Sequence, residues 1–346
     1  MRKAYLCFLK IALIALAVGV VMVGISVSLG SMEVVRISDE IKPEYENVDL
    51  TFDAGKVKRL ELAFKWGEVD IKEGDVLSFS AVNATKGAFS GVEVTPDGTL
   101  RICENDVNDT ISIGPFIKIP VDWISYGGNH TEYTLTIPEG MKFEEVVIST
   151  GAGEIDVCSF EADAVEMNFG AGEVKLDDIV CRELYFEAGA GAINAENIKV
   201  LEKSSVKSGA GEFVVGGTFE VANAEFDHSA GEVEVNRLVG ESVSIKSGMG
   251  EFNVNDIDTS SLNVSLGAGE VNVSGVVEGK TDIDVGAGEV NLSLSGEDGD
   301  YSVNVDKGAG EVTVNGTSIG ESYGNASAPY RIDVDLGAGE VNIDIE

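Results

Sequence analysis

The 346-residue chain holds 24 basic against 60 acidic side chains, a formal net charge of −36, with 44% hydrophobic residues, 42 glycines and 6 prolines. So acidic a surface repels nucleic acid and anionic lipid headgroups, which excludes nucleic acid as a partner and favours cations, basic partners and solubility. The apolar content excludes a disordered chain, and glycine without a three-residue period excludes collagen.

Arg2 and Lys3 precede an apolar stretch broken at Lys10, and Ile11 to Leu29 then runs without a charge. As a helix this run spans about 28 Å, close to the hydrocarbon thickness of a bilayer. With the positive charges before it, the N-terminus is expected in the cytoplasm and the bulk of the chain outside, as a single-pass protein of the cell membrane. A cleaved signal peptide, with Ser28-Leu29-Gly30 as a small-x-small site, is the alternative for residues 1–30. Residues 31–50 are polar, without a clear period, and are expected to form a linker.

Over residues 51–150 the pattern is alternation, as in Leu60, Leu62 and Phe64 and in Gly67-Glu68-Val69-Asp70-Ile71, which predicts half-buried strands of an irregular N-terminal part. Regularity fades between Glu104 and His130, where Pro115, Pro120, Trp123 and Gly127-Gly128 predict a long loop. It returns at Tyr133 to Ile137, before the turn Pro138-Glu139-Gly140.

From residue 151 to 346 a single heptad recurs. Gly267-Ala268-Gly269-Glu270-Val271-Asn272-Val273 has near copies starting at Gly151, Gly170, Gly189, Gly209, Ser229, Gly248, Gly286, Gly308 and Gly337. The intervals are 19, 19, 20, 20, 19, 19, 19, 22 and 29 residues, and a near-constant period in this range marks a stacked repeat array. The fifth and seventh positions are apolar, as in Ile155 and Val157 or Val271 and Val273, and a second alternating set such as Leu262, Val264 and Leu266 closes each repeat. Each repeat is thus expected to hold two short strands, too few to bury their own apolar face until coils stack about 4.8 Å apart. The glycines suit corners where backbones approach closely. The fold class is all-β: a single-stack β-solenoid of coils of 19 or 20 residues behind an N-terminal transmembrane helix.

The fourth position is Glu154, Glu173, Glu212, Glu232, Glu251, Glu270, Glu289, Glu311 and Glu340, with Ala192 as the exception. Strand alternation turns these carboxylates outward, as a column. One reading is a solvated acidic face that discourages edge-to-edge pairing. The other is weak divalent-cation binding between adjacent carboxylates and position-six asparagines such as Asn272 and Asn291.

The alternating strands, the Ile137-Pro138-Glu139-Gly140 turn and the Gly-Ala-Gly-Glu-Val coils, behind one apolar N-terminal segment, resemble the bacterial putative-adhesin family of β-solenoid domains of unknown function. The resemblance covers about residues 50–346 and implies a membrane-anchored surface protein, with no catalytic residue to carry over.

No catalytic, cofactor-binding or metal-ligating set emerges from the sequence itself. His130 and His228 lie in different contexts, and the glycines punctuate strands and do not open helices. Cys158 and Cys181 occupy different repeat positions, so whether they pair stays open. Longer intervals around Gly296 to Asp300 and Ser318 to Tyr330, the latter carrying Tyr323 and Pro329, are expected to project as loops, which either are merely tolerated insertions or carry recognition. The expected function is a non-enzymatic, membrane-anchored extracytoplasmic adhesin or cell-envelope interaction module for an unknown surface ligand. An accessory or sensory part of an envelope-stress response is the alternative, and a carbohydrate-active β-helix enzyme is the third reading.

Overall fold

The computed structural model describes residues 44–105 and 131–346, together with the backbone of 110–113 and 117–120. The chain falls into two units, one of Glu46–Asp106 with His130–Glu346 and the other of Met1–Tyr45 with Val107–Asn129. The apolar segment expected to be a transmembrane helix or signal peptide lies outside the described residues. Among the described residues no helix is long and apolar enough to cross a membrane.

The fold is all-β. Strands β1 (Tyr45–Thr51), β2 (Arg59–Gly74), β3 (Ser78–Thr85), β4 (Glu93–Val94) and β5 (Thr99–Cys103) are followed by the separate pair β6 (Thr110–Ile113) and β7 (Ile117–Pro120). Next come β8 (Glu132–Pro138), β9 (Lys142–Val157), β10 (Phe160–Leu176), β11 (Ile179–Ala195), β12 (Ile198–Ser247), β13 (Glu251–Leu266), β14 (Glu270–Val285) and β15 (Glu289–Leu294). The last are β16 (Tyr301–Lys307), β17 (Glu311–Val314), β18 (Thr317–Ser318), β19 (Ser322–Gly324), β20 (Tyr330–Leu336) and β21 (Glu340–Ile345). All of strand β1 but Thr51 falls within the stretch 31–50 expected to be a linker, which is thereby corrected, and β1 pairs with β3.

From β9 to β14 the coils pair in parallel, each on the next in sequence. The register skips Asp163 and Gly170, so one coil presents three inward-facing stretches: Phe160 and Ala162, Val165 to Phe169, and Val174 and Leu176. The sequence pattern predicts two strands per repeat, and the short stretch of Phe160 and Ala162 is the third. The fifth and seventh heptad positions are buried throughout, as Ile155, Val157, Phe213, Val215, Val271 and Val273 show. Truncating a fully buried ring such as Phe213 or Phe252 costs on the order of 3–5 kcal/mol. Among the described residues the core is drawn from Val57 to Ile343.

The glycine corners are set by the closeness of the coils. A Cβ on Gly172, whose φ is +132°, would lie 1.9 Å from the Gly153 carbonyl oxygen of the coil beneath. Backbone fills the place a side chain would need.

At both ends the stack departs from chain order. After β14 and β15, the coil that follows in space is β20 with β21: Asp282 pairs with Asp333, and Glu289 with Glu340. The coil of β16 and β17, earlier in sequence, lies outside it, with Asn304 opposite Asp333 and Glu311 opposite Glu340. At the other end β2 pairs on one side with β9 and on the other with β5 and β8, so the coil of β5 and β8 is outermost. The first and the last coils of the chain are therefore both interior, and internal segments form the two caps.

The caps blunt their own edges. At the N-terminal end β3 lies antiparallel on β8, and β4 on β5. At the C-terminal end β18 lies antiparallel on β17, and β19 on β16. Covering the outer edge this way removes the unpaired row of N–H and C=O groups that would template association with another chain. The second unit contributes the described β6–β7 ribbon, an antiparallel pair in its own sheet with Ile111 opposite Ile119 and Ile113 opposite Ile117.

Candidate functional site

The carboxylate column exists, and it is longer than the repeat region. Glu132, Glu68, Glu154 and Glu173 follow one another, Ala192 interrupts, and Glu212 resumes. The second run is Glu232, Glu251, Glu270, Glu289, Glu340 and then Glu311. Stacking of Gly231 on Gly211 joins the two runs. Adjacent like charges at this spacing repel by roughly 1 kcal/mol in water, and three devices relieve the repulsion.

The first is Lys175, whose Nζ lies 2.8 Å from Glu154 Oε1, 3.6 Å from Glu173 and 3.8 Å from Asp156. The hydrogen bond to Glu154, helped by the charges of Asp156 and its neighbours, raises the Lys175 pKa above the usual lysine value. The second device is Ala192, which leaves a gap.

The third is an amide ladder. Asn272 Nδ2 donates to Asn253 Oδ1 at 2.9 Å, Asn291 Nδ2 to Asn272 Oδ1 at 2.9 Å, and Asn342 Nδ2 to Asn291 Oδ1 at 3.0 Å. Thr313 closes the ladder, its hydroxyl donating to Asn342 Oδ1 at 2.7 Å. Each asparagine also donates to the glutamate two residues before it, as Asn272 does to Glu270 at 3.0 Å and Asn291 to Glu289 at 3.1 Å. The asparagine Oδ1 atoms and one oxygen of each of these glutamates are thus engaged with amide or hydroxyl donors. Among the described residues, no group of three His, Cys, Asp or Glu side chains gathers as a metal site.

A second acidic feature was not visible from the repeat pattern. Inserting β20 between β14 and β16 brings Asp282, Asp333 and Asn304 into one row and Asp284, Asp335 and Asp306 into the next. These residues, with Glu321, line an open groove of about 540 Å³. Lys280 offsets part of the charge, with Nζ 2.6 Å from Asp282 and 3.7 Å from Asp333. Burial pushes the Asp333 carboxyl up, but hydrogen bonds from Arg331 and Asn304 and the charges of Arg331 and Lys280 outweigh it, so its pKa is lowered. Such a groove suits a basic group on a partner.

The long intervals near the C-terminus do not simply project. Ser318 and Ser322 to Gly324 belong to the capping strands, and Tyr323 Oη donates to Asp298 Oδ1 at 2.6 Å. Asn315 Nδ2 donates to the same oxygen at 3.0 Å, and Lys307 Nζ to the Ile319 carbonyl at 2.7 Å. Tyr301, buried, packs against Tyr330 with the rings tilted at 57° and their centroids 5.2 Å apart, and donates to the Ser295 carbonyl at 2.8 Å. The expectation that these intervals project as loops is corrected in part: an exposed strand edge demanded a cap, and β18 and β19 supply it.

The remaining chemical candidates are embedded in the coils. Cys103, Cys158 and Cys181 are free thiols. Burial, with the nearby Glu73, Asp177 and Asp70 charges, pushes Cys158 up to about 12, and burial alone pushes Cys181 up to about 12. Neither is a thiolate at neutral pH, so neither is a ready nucleophile. His228 is 2% exposed at a corner, its Nε2 only 2.3 Å from where a Cβ on Gly250 would lie. His130 lies outside the described residues.

Parallel coils with out-of-order ends, edge-covered caps and columns of outward side chains define a capped β-solenoid. The chain belongs to the Toastrack DUF4097 family, whose family model matches residues 57–344. Among solved structures it is similar to a putative cell adhesion protein from Clostridium sporogenes, at 13% identity over 88% of this chain and 100% of that chain, with a TM-score of 0.28. It is also similar to a putative lipid binding protein from Parabacteroides distasonis, at 15% identity over 88% and 98% with a TM-score of 0.42. A putative adhesin from Bacteroides fragilis matches at 11% identity over 88% and 99%, with a TM-score of 0.34. No curated protein matches the chain.

Proposed function

We propose that this chain is a non-enzymatic module of the cell surface, anchored in the cell membrane by its N-terminal segment, that displays the solenoid outside the cytoplasm as an adhesin or cell-envelope interaction module. The observation that carries the reading is the arrangement of the outward side chains. They repeat as columns along a rigid stack, from Glu132 through Glu311, and do not converge on one reacting point. Catalysis needs convergence of nucleophile, base and stabilising donors, whereas a column offers many equivalent weak contacts that gain by multiplicity.

Binding of residues 44–346 to whole cells, peptidoglycan and host matrix, measured beside a glycan-hydrolysis assay, tests the proposal. Binding without hydrolysis is expected, and hydrolysis, or failure to bind any of these surfaces, overturns it. Anchoring is tested separately on the full chain. It is expected to stay with membranes in alkaline carbonate and to lose its solenoid to protease added outside the cell, whereas release in soluble form indicates a cleaved signal peptide.

A further inference from the structure

The coil of β16 and β17 rests on a coil that comes after it in the sequence. Among the described residues its parallel partners are β20, with Val303 opposite Ile332, and β21, with Val312 opposite Val341. On its other side the coil of β20 and β21 pairs with β14 and β15, so it separates two coils that are consecutive in sequence. The interval that steps over it, from Gly286 to Gly308, is 22 residues where 19 is usual. Three more residues reach at most roughly 10 Å, enough to pass one coil spacing of about 4.8 Å. The connection back into the stack exposes Asn325, Ala326 and Ser327. Its turn is closed locally, with the Ser327 N–H donating to Asn325 Oδ1 at 3.0 Å and the Ala328 N–H to the Asn325 carbonyl at 2.8 Å.

The two places in the stack are interchangeable in chemistry. Moved down one place, β16 and β17 would set Val303 on Thr281, Val305 on Ile283, Val312 on Val290 and Val314 on Leu292, by the registers both neighbours share with the intercalated coil. The Thr313 hydroxyl, which donates to Asn342 Oδ1 at 2.7 Å, would meet Asn291 Oδ1, the acceptor that Asn342 occupies. Among the inward positions the mismatch is Lys307, which stands where Leu336 does. The outer edge stays covered, because β18 and β19 are held by β17 and β16 themselves. The intercalated coil is held by the Asn342 ladder, by the Ile345 N–H on Asn315 Oδ1 at 2.8 Å and by the Gly296 N–H on the Glu346 carbonyl at 2.9 Å. Against these, it sets Asp333, Asp335 and Glu340 one coil from Asp282, Asp284 and Glu289, and like charges repel.

We infer that the coil of β20 and β21 is a removable wedge. When it leaves, the coil of β16 and β17 drops one place onto β14 and β15, taking its capping strands with it, and residues 330–346 are released as an exposed arm. The end of the solenoid thus holds two discrete arrangements, as packed elements with two equivalent seats do. The arm moves between core and solvent without uncovering the edge of the stack.

The full chain carrying Glu289→Cys and Glu311→Cys is compared with the same chain carrying Val341→Asp and Ile343→Asp as well, which put charge into the buried stretch of β21. After mild oxidation the bridges are located by peptide mass mapping. Positions 289 and 311 lie two coils apart, about 9.6 Å, beyond the reach of a disulfide, and one coil apart after the drop. The 289–311 bridge is expected at least tenfold more often in the Asp variant. Glu270→Cys with Glu289→Cys, on neighbouring coils, should bridge equally with and without the two Asp substitutions. A 289–311 pair that stays reduced in the Asp variant overturns the inference, since the end then frays instead of closing. Loss of the 270–289 bridge overturns it too, because the wedge would then prop the whole stack. So does an equal 289–311 bridge in both chains, which would leave the wedge without control of the end.

Discussion

Replacing Asn291 by Ala removes three hydrogen bonds: its donations to Asn272 and Glu289, and the one it accepts from Asn342. At about 0.5–1.5 kcal/mol net for each bond, and with half-buried partners that regain water, the loss should be about 1–3 kcal/mol. Thr313→Val, at the end of the ladder, removes a single bond and should cost less, about 1 kcal/mol. The pattern of coupling is more informative than the size. In double-mutant cycles Asn291→Ala with Asn342→Ala, and Asn342→Ala with Thr313→Val, should each show coupling of about 0.5–1.5 kcal/mol, while Asn291→Ala with Thr313→Val should be additive within about 0.5 kcal/mol. The assay is equilibrium urea unfolding of residues 44–346, followed by two probes whose transitions coincide, since long repeat arrays can lose cooperativity. A stack in chain order would put Thr313 beside Asn291. Coupling between those two, with none between Asn291 and Asn342, would refute the reasoning.

Gly172→Ala should destabilise the chain by several kcal/mol, because the new Cβ meets a carbonyl oxygen at 1.9 Å in a left-handed backbone, while Ala171→Ser on the exposed corner beside it should change the urea midpoint little. Because the Asn272 and Asn291 oxygens already accept hydrogen bonds, millimolar calcium is expected to leave the melting temperature unchanged; a rise that Glu251→Gln, Glu270→Gln and Glu289→Gln together abolish would show cation binding instead. Cys158 and Cys181 ionise near 9 when unfolded and at about 12 when folded, so their contribution is fully present below pH 9 and is lost as pH rises toward 12. The variant Cys158→Ala, Cys181→Ala should therefore show a shallower alkaline fall in stability than the parent, and equal slopes would contradict the assignment.

How much of this was legible follows from what the repeat encodes. Hydrophobic period specifies a coil, and Ile155, Val174, Phe213 and Val271 are buried where that period places them. The same period is present in every coil, so it cannot say which coil neighbours which. That information sits at position six, where Asn342 continues the run of Asn253, Asn272 and Asn291, and the Thr313 hydroxyl ends it. At the N-terminal end the signal was a single glutamate: Glu132 joins the column beside Glu68 although it stands outside any Gly-Ala-Gly heptad. The acidic groove was out of reach because Asp333 and Asp335 meet Asp282 and Asp284 only through the reversed order of coils. The loops after residue 295 were read as projecting because length signals an insertion, whereas antiparallel pairing with the cap is decided by an edge that only the stack reveals.

The order of the last coils is open to direct chemical measurement. Glu289 and Glu340 are parallel neighbours, as are Glu340 and Glu311, whereas Glu289 and Glu311 lie two coils apart, at about 9.6 Å. A disulfide requires Cα atoms within about 7 Å. In residues 44–346, the pair Glu289→Cys, Glu340→Cys should therefore oxidise to an internal bridge under mild conditions, and the pair Glu289→Cys, Glu311→Cys should remain reduced. Ready bridging of 289 to 311, with none from 289 to 340, would contradict the intercalated coil on which this description of the solenoid depends.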